Sequence, residues 1–431
     1  MKIFSYFIYR FLSKIYLKRN NFHRCLKFFR KSIAKNLLPN PKTINYDIEC
    51  LDIAEKIFKF NNLDFQKKEI NFSKKILILN SEISDIGGHT ELVLRLLKHF
   101  KDKYYCDFLI TNLGKCSKDI APIKSKIIKQ YVSKYIEFDA KYPNDKKVID
   151  IYNYVLNNNI STIYVNMHMY DAVGCAVLGL LKKYTNINIL FSNHGDHFYS
   201  LGTTFATNII TRCKNGKSIT PYLYEYKNVC NPPFIIDMKA LDFVNDKKII
   251  ELKNDLGIPQ TAFITTTGCP RYKICDEYFK LINKILTKNT NIFHILFVNK
   301  KHHNEILNKI GHLPNLILLD FVSNFSDYIQ MSDLYIDSFP QGSALTLIDF
   351  IKYRKPVIIR KNIESPISSF EEYLYEDYEY ICSSSDEMYQ KTIKILSDRE
   401  EYERIAHKVY KHCKNVYDVD NSLPALEVFI K

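Results

Sequence analysis

From residue 74 onward, short apolar runs of strand length recur along the chain, separated by stretches whose apolar positions return every three or four residues. "KKILILN" (74–80), "YYCDFLIT" (104–111), "STIYVN" (161–166) and "INILFSN" (187–193) read as strands, with helices such as Thr90 to Phe100 and Asp171 to Tyr184 between them. The alternation weakens between Arg212 and Asn231, and "NPPF" (231–234) punctuates the chain. It resumes with "AFITTTG" (262–268), "IFHILFVN" (292–299), "NLILLDF" (315–321), "LYIDSF" (334–339) and "PVIIR" (356–360). Strands that alternate with helices build parallel, doubly wound sheets. The pattern predicts an α/β chain with two Rossmann-like domains facing a cleft, at 71–235 and 236–400, and a helix and tail at 401–431 that return to the first domain.

Residues 1–70 carry a different pattern, a basic helical extension. Tyr16, Leu17, Phe22, Cys25, Phe29 and Ile33 fall at helical spacings, Asn20-Asn21 reads as a turn and Pro39 as a stop. The segment resembles one tetratricopeptide-type helical hairpin, and a single copy makes no solenoid. Three readings stand side by side: a cap on the next domain, a cationic helix lying on a membrane surface, and an arm that docks the acceptor.

Composition narrows the field. The formal charge is +14, yet residues 1–46 hold eleven Lys or Arg and no Asp or Glu, so the rest of the chain is nearly neutral. That distribution argues against a nucleic-acid binder and leaves open peripheral contact between residues 1–46 and an acidic membrane surface. Eleven scattered cysteines without a C-x-x-C pair fit reduced thiols in a cytoplasmic protein, with neither disulfides nor a zinc site. The apolar stretch Ile3 to Tyr9 is cut by Arg10 and Lys14, which does not fit a secretory signal, and no run approaches the roughly 18 apolar residues that a spanning helix needs.

Ligands of doubly wound sheets bind beyond the carboxyl ends of the strands. In "DSFPQGSALTLIDF" (337–350) a strand hands over to a helix, which places Gly342, Ser343, Ala344 and Leu345 where unpaired backbone N–H groups suit a diphosphate. Thr346 and Asp349, three apart, share a helix face, and a carboxylate one turn in suits the vicinal hydroxyls of a ribose. The bland alternative makes Ser343 a simple helix cap. A second loop, "TTGCPRYKI" (266–274), brings Gly268, Arg271 and Lys273 to the same edge, where a lysine offsets negative charge developing on a leaving group. In the first domain, "SDIGGHT" (84–90) supplies Gly87 and Gly88 for a tight helix start and presents His89, for which a proton acceptor, a ligand contact and a merely structural residue are all open readings.

These segments resemble the donor-binding segments of GT-B glycosyltransferases, in the branch of O-GlcNAc transferase and the related bacterial adhesin glycosyltransferases. Asp337, Gly342, Thr346, Asp349 and Pro356 fall on positions that one or the other branch uses, and "SDIGGHT" is similar to the D-x-G-x-H loop of the O-GlcNAc branch. The resemblance implies that Lys273 and the amides from Ser343 to Thr346 hold a nucleotide diphosphate, that Asp349 binds ribose, and that no cofactor or metal is needed. "YVNMHMYD" (164–171) and "SNHGDHFYSLG" (192–202) look like two further cleft loops of the family, and His194 and Asp196 are read there as sugar or acceptor contacts and as substitutes for His89 as base. Ala344 and Leu345 depart from the His and Thr of the O-GlcNAc branch, which leaves phosphate recognition there to the backbone. Asp418-Val419-Asp420 has the letters of a metal-holding D-x-D motif but follows the last long helix, the wrong place for one. The expectation is a cytoplasmic, metal-independent transferase of the hexosyl or N-acetylhexosaminyl type. It would move a sugar from a nucleotide-diphosphate donor, a UDP-sugar, to a protein or surface-glycan acceptor; the alternative is a degenerate binding or adaptor protein of the same fold.

Overall fold

The computed structural model describes residues 2–35, 44–65, 67–113, 117–193, 199–211, 228–361 and 373–430. The chain divides into two compact units, 1–235 with 423–431, and 236–422. Residues 401–422 therefore go with the second unit, and the helices of the extension go with the first.

In the first unit α1 (Lys2–Lys18) and α2 (Phe22–Ile33) turn at Asn20, and Asn21 caps α2 by accepting from the Arg24 amide. Pro39, expected as a stop, lies outside the described residues. Then come α3 (Ile44–Phe60), β1 (Lys75–Asn80), α4 (Gly88–Phe100), β2 (Tyr105–Ile110), α5 (Ser117–Ile120), α6 (Pro122–Ile128), β3 (Lys134–Glu137), α7 (Asn144–Asn157), β4 (Thr162–Asn166), α8 (Ala172–Tyr184), β5 (Asn188–Ser192), β6 (Asn208–Ile210) and β7 (Val229–Cys230). The strands form one parallel sheet in the order β3-β2-β1-β4-β5-β6-β7. Phe22, Phe29, Ile53 and Ile57 of α2 and α3 share one core with Leu77, Leu79 and α8, so these two helices are part of the unit's hydrophobic body. Burying each such side chain contributes about 1.5–3 kcal/mol.

The second unit carries a six-stranded parallel sheet, β8 (Phe263–Gly268), β9 (Ile292–Phe297), β10 (Leu316–Leu319), β11 (Leu334–Ile336), β12 (Val357–Arg360) and β13 (Ile381–Cys382), in the order β10-β9-β8-β11-β12-β13. Its helices are α9 (Asp246–Asp255), α10 (Asp276–Lys288), α11 (His303–Ile310), α12 (Phe325–Met331), α13 (Ala344–Lys352), α14 (Ser385–Ser397) and α15 (Arg399–Tyr417); α16 (Val419–Glu427) follows. Two parallel sheets with alternating helices are the α/β architecture expected. In each sheet the strand order reverses once, between β1 and β4 and between β8 and β11, and the loops leaving those strands are where such folds bind ligands.

Candidate functional site

In the second unit the loops that leave β8 and β11 are stitched together. Ile274 and Pro340 form a backbone bridge, and the Cys275 amide donates to the Phe339 carbonyl at 3.2 Å. Lys273, at the end of a 3₁₀ turn over Arg271–Lys273, reaches across and donates from Nζ to the Gly342 carbonyl at 2.7 Å. An ammonium is thus held two residues ahead of Ala344, the first residue of α13, whose leading N–H groups have no acceptor within the helix. Burial lowers the Lys273 pKa, and the neighbouring Asp337 carboxylate works in the opposite direction.

Asp337 organises the loop. Its carboxylate is buried; Oδ1 accepts from the Ser338 amide at 2.9 Å, the Ser343 amide at 2.9 Å and the Ser343 hydroxyl at 2.7 Å. Oδ2 is buried with no hydrogen-bond partner among the described residues. Desolvation pushes the carboxyl up to about 6, against the hydrogen bonds from Ser343 and the charge of Lys273. The Ser343 hydroxyl does not cap α13, because it serves Asp337 and meets the Tyr335 hydroxyl. Its amide, expected to face a diphosphate, is likewise engaged by Asp337, which leaves the amides of Ala344, Leu345 and Thr346 as the candidates at this helix start.

Gly268, the last residue of β8, packs closely against the next layer. A Cβ there would lie 3.3 Å from the Phe325 ring and 3.7 Å from Thr346 Cγ2. The close approach brings Thr346 to the end of β8, and Asp349, three residues on, is half-buried on the same face of α13. Arg271 is committed elsewhere: its Nη2 and Nε hold Glu305 at 2.6 and 3.0 Å, Nη1 donates to the Ile274 carbonyl, and the guanidinium lies over Phe279. The Asp-Val-Asp sequence follows α15 and not a strand; Asp420 pairs with Lys239, and Asp418 bridges to Ile236.

In the first unit Gly87, at φ 113°, precedes α4, a conformation that side chains resist, and Gly88 opens the helix. His89 sits in that first turn, half-buried, its ring stacked on His168 with centroids 5.1 Å apart and planes 14° apart. His168 in turn stacks on Tyr170 and holds Glu82 Oε1 with Nε2 at 3.0 Å. Glu82 follows β1 and His168 follows β4, so the cluster stands at the reversal point of the sheet. Below it, Ser81 Oγ accepts from the His168 amide and donates to Asp171, which also accepts from Thr111 and caps α8. His194 and Asp196 lie outside the described residues. Sequence reasoning passed over Glu82 and His168 as site residues; the one signal available was that each stands within two residues of a strand end.

The class follows from the two reversed sheets and their loops: the chain has the GT-B fold. Its likenesses among solved structures agree. HepE of Anabaena, in complex with UDP and glucose, superposes with a TM-score of 0.65 at 14% identity, covering 82% of this chain and 99% of that one. A glycosyltransferase from Rickettsia africae gives 0.66 at 14%, covering 83% and 98%. A mutant O-GlcNAc transferase from Thermobaculum terrenum gives 0.56 at 10%, covering 99% of this chain and 82% of that one. No protein-family model matches the sequence, and no curated protein does.

Proposed function

We propose that this chain is a glycosyltransferase that moves a sugar from a nucleotide-diphosphate donor, a UDP-sugar, to a protein or surface-glycan acceptor. The observation that carries the reading is the placement of Lys273 Nζ on the Gly342 carbonyl, directly before the N-terminus of α13. A diphosphate there would meet an ammonium and the first-turn amides together, and Asp349 would take the ribose hydroxyls. The UDP of the Anabaena complex supports the choice of nucleotide.

In the proposed reaction the acceptor oxygen or nitrogen attacks the anomeric carbon. The bond from that carbon to the diphosphate oxygen breaks, and its electron pair leaves with the UDP. Lys273 and the amides of Ala344 to Thr346 stabilise the charge gathering on the leaving group, without calling on a metal. The acceptor's proton passes to His89, with His194 or Asp196 as substitutes in that role. The transfer belongs to the hexosyl or N-acetylhexosaminyl type, and the proposal places the protein in the cytoplasm, in contact with an acidic membrane surface.

The test is release of UDP from a panel of UDP-sugars, followed with time and with His89→Ala. The reading expects release by the wild type, with His89→Ala retaining UDP binding but losing turnover by about 100-fold or more. Absence of both UDP binding and release would refute it. One observation favours a second reading, a nucleotide-binding protein without turnover: Asp337 occupies the Ser343 amide, while Ala344 and Leu345 bring no polar side chain. Tight UDP binding with no sugar released to any acceptor would select that reading.

A further inference from the structure

The α1 helix is held to the body of the first unit by its polar and tyrosine side. Arg10 Nη2 pairs with Glu49 Oε2 at 2.5 Å, Tyr6 shares a hydroxyl hydrogen bond with Tyr46, Ser13 donates to the Cys25 carbonyl, and Tyr16 stacks on Phe28. Its most apolar side chains point the other way. Phe4, Phe7, Ile8 and Phe11 are 71, 62, 41 and 65% exposed, and their spacing of three, one and three residues puts them on one stripe. Lys14 and Lys18, both exposed, continue the stripe toward the end of the helix, and the exposed Arg19 follows.

Three phenylalanines on one exposed stripe contribute nothing to the fold and lose hydration free energy, which marks a surface meant to be covered. The charge around them says by what. Residues 1–46 contain no acidic side chain, and the exposed Lys14 and Lys18 adjoin the apolar stripe, while Arg10 faces Glu49 on the body. A second copy of the chain would bring this cationic surface against itself. A bilayer with anionic headgroups takes both parts at once, aromatic rings at the acyl boundary and lysines at the phosphates.

We propose that α1 is an interfacial helix that lies flat on an anionic lipid surface through Phe4, Phe7, Ile8 and Phe11, with Lys14 and Lys18 on the headgroups. The other helices of the extension pack into the core, so α1 is the element that touches lipid while α2 and α3 fix its orientation on the first unit. The inference does not depend on the donor site, because lipid binding and nucleotide binding are separate readouts.

The test is co-sedimentation of the full chain with vesicles of phosphatidylcholine alone or of equal parts phosphatidylcholine and phosphatidylglycerol, at physiological salt. Two variants accompany it, Phe7→Glu with Phe11→Glu, and Lys14→Glu with Lys18→Glu; all four positions are exposed, so thermal melting of each variant should match the wild type. The expected result is binding to the anionic vesicles only, weakened at least about tenfold by either pair of substitutions. Equal binding to both vesicle types, no binding to either, or indifference to the substitutions would overturn the proposal. Lipid-independent self-association abolished by Phe7→Glu with Phe11→Glu would overturn it in favour of a second copy.

Discussion

Asp337 Oδ1 accepts both the amide and the hydroxyl of Ser343, at 2.9 and 2.7 Å, and this pair of bonds closes the loop that presents α13. The carboxylate is buried, so two consequences follow, one for folding and one for pH.

Replacing Asp337 with Ala strands the Ser343 amide and the Ser338 amide in a dry loop. The second unit should lose about 2–4 kcal/mol, at about 1–3 kcal/mol for each buried donor left without an acceptor. Denaturant unfolding of Asp337→Ala against wild type measures it, and a loss below about 0.5 kcal/mol would mean that the loop is held by something else.

The pH dependence has a definite sign. The Asp337 pKa is raised in the folded state to about 6 from the model-peptide value of 3.8, so the folded chain binds more protons between those values. Its contribution to stability is full below pH 3.8 and is lost as the pH rises to about 6, a swing of about 3 kcal/mol. Unfolding measured from pH 4 to 7 should show this component in the wild type and lack it in Asp337→Asn. Parallel curves for the two proteins would contradict the assignment.

A similar dependence holds in the first unit. Asp47 of α3 is fully buried, and its carboxylate accepts from the Tyr199 hydroxyl at 2.6 Å, the Gly202 amide at 2.8 Å and the Thr204 amide at 3.0 Å. The extension therefore fixes the loop that follows residues 194–198. Asp47→Ala should cost about 3 kcal/mol or more. A variant as stable as the wild type would show that α3 is only a lid on the core.

Gly268 offers a test of the proposed diphosphate site through its packing on Phe325 and Thr346. Gly268→Val adds a branched side chain where the Phe325 ring is 3.3 Å and Thr346 Cγ2 is 3.7 Å from a Cβ. The substitution should displace the start of α13 and weaken UDP binding at least about tenfold. A crystal structure of the variant with α13 unmoved and UDP bound normally would contradict the packing argument.

Much of the fold was legible because β1, β4, β5, β8 and β9 are buried on both faces: β1, β4 and β5 carry three or four consecutive apolar residues, β9 is interrupted only by His294, and β8 is rich in β-branched residues. The strands β3, β6, β7 and β13 were missed: they have two to four residues, and "KYIE" and "NII" offer too few apolar positions to stand out. "LYIDSF" reads as a strand to Phe339, but β11 ends at Ile336 and the last ladder bond is that of the Asp337 amide to Ile358; beyond it the Asp337 side chain takes the Ser338 amide. At the site, Lys273 and the start of α13 could be found from glycine, proline and lysine beside strand ends. The engagement of Arg271 by Glu305, 34 residues away, could not. Nor could the stacking of His89 on His168, which exists because β1 and β4 are neighbours in the sheet and not in the chain.

Lys273 and α13 are proposed to grip a diphosphate together, and calorimetric titration with UDP of the wild type, Lys273→Ala and Asp349→Ala tests that directly. The expected result is binding by the wild type, at least about thirtyfold weaker in Lys273→Ala, the loss of roughly 2 kcal/mol, with a smaller loss in Asp349→Ala. UDP affinity unchanged in both variants would contradict it.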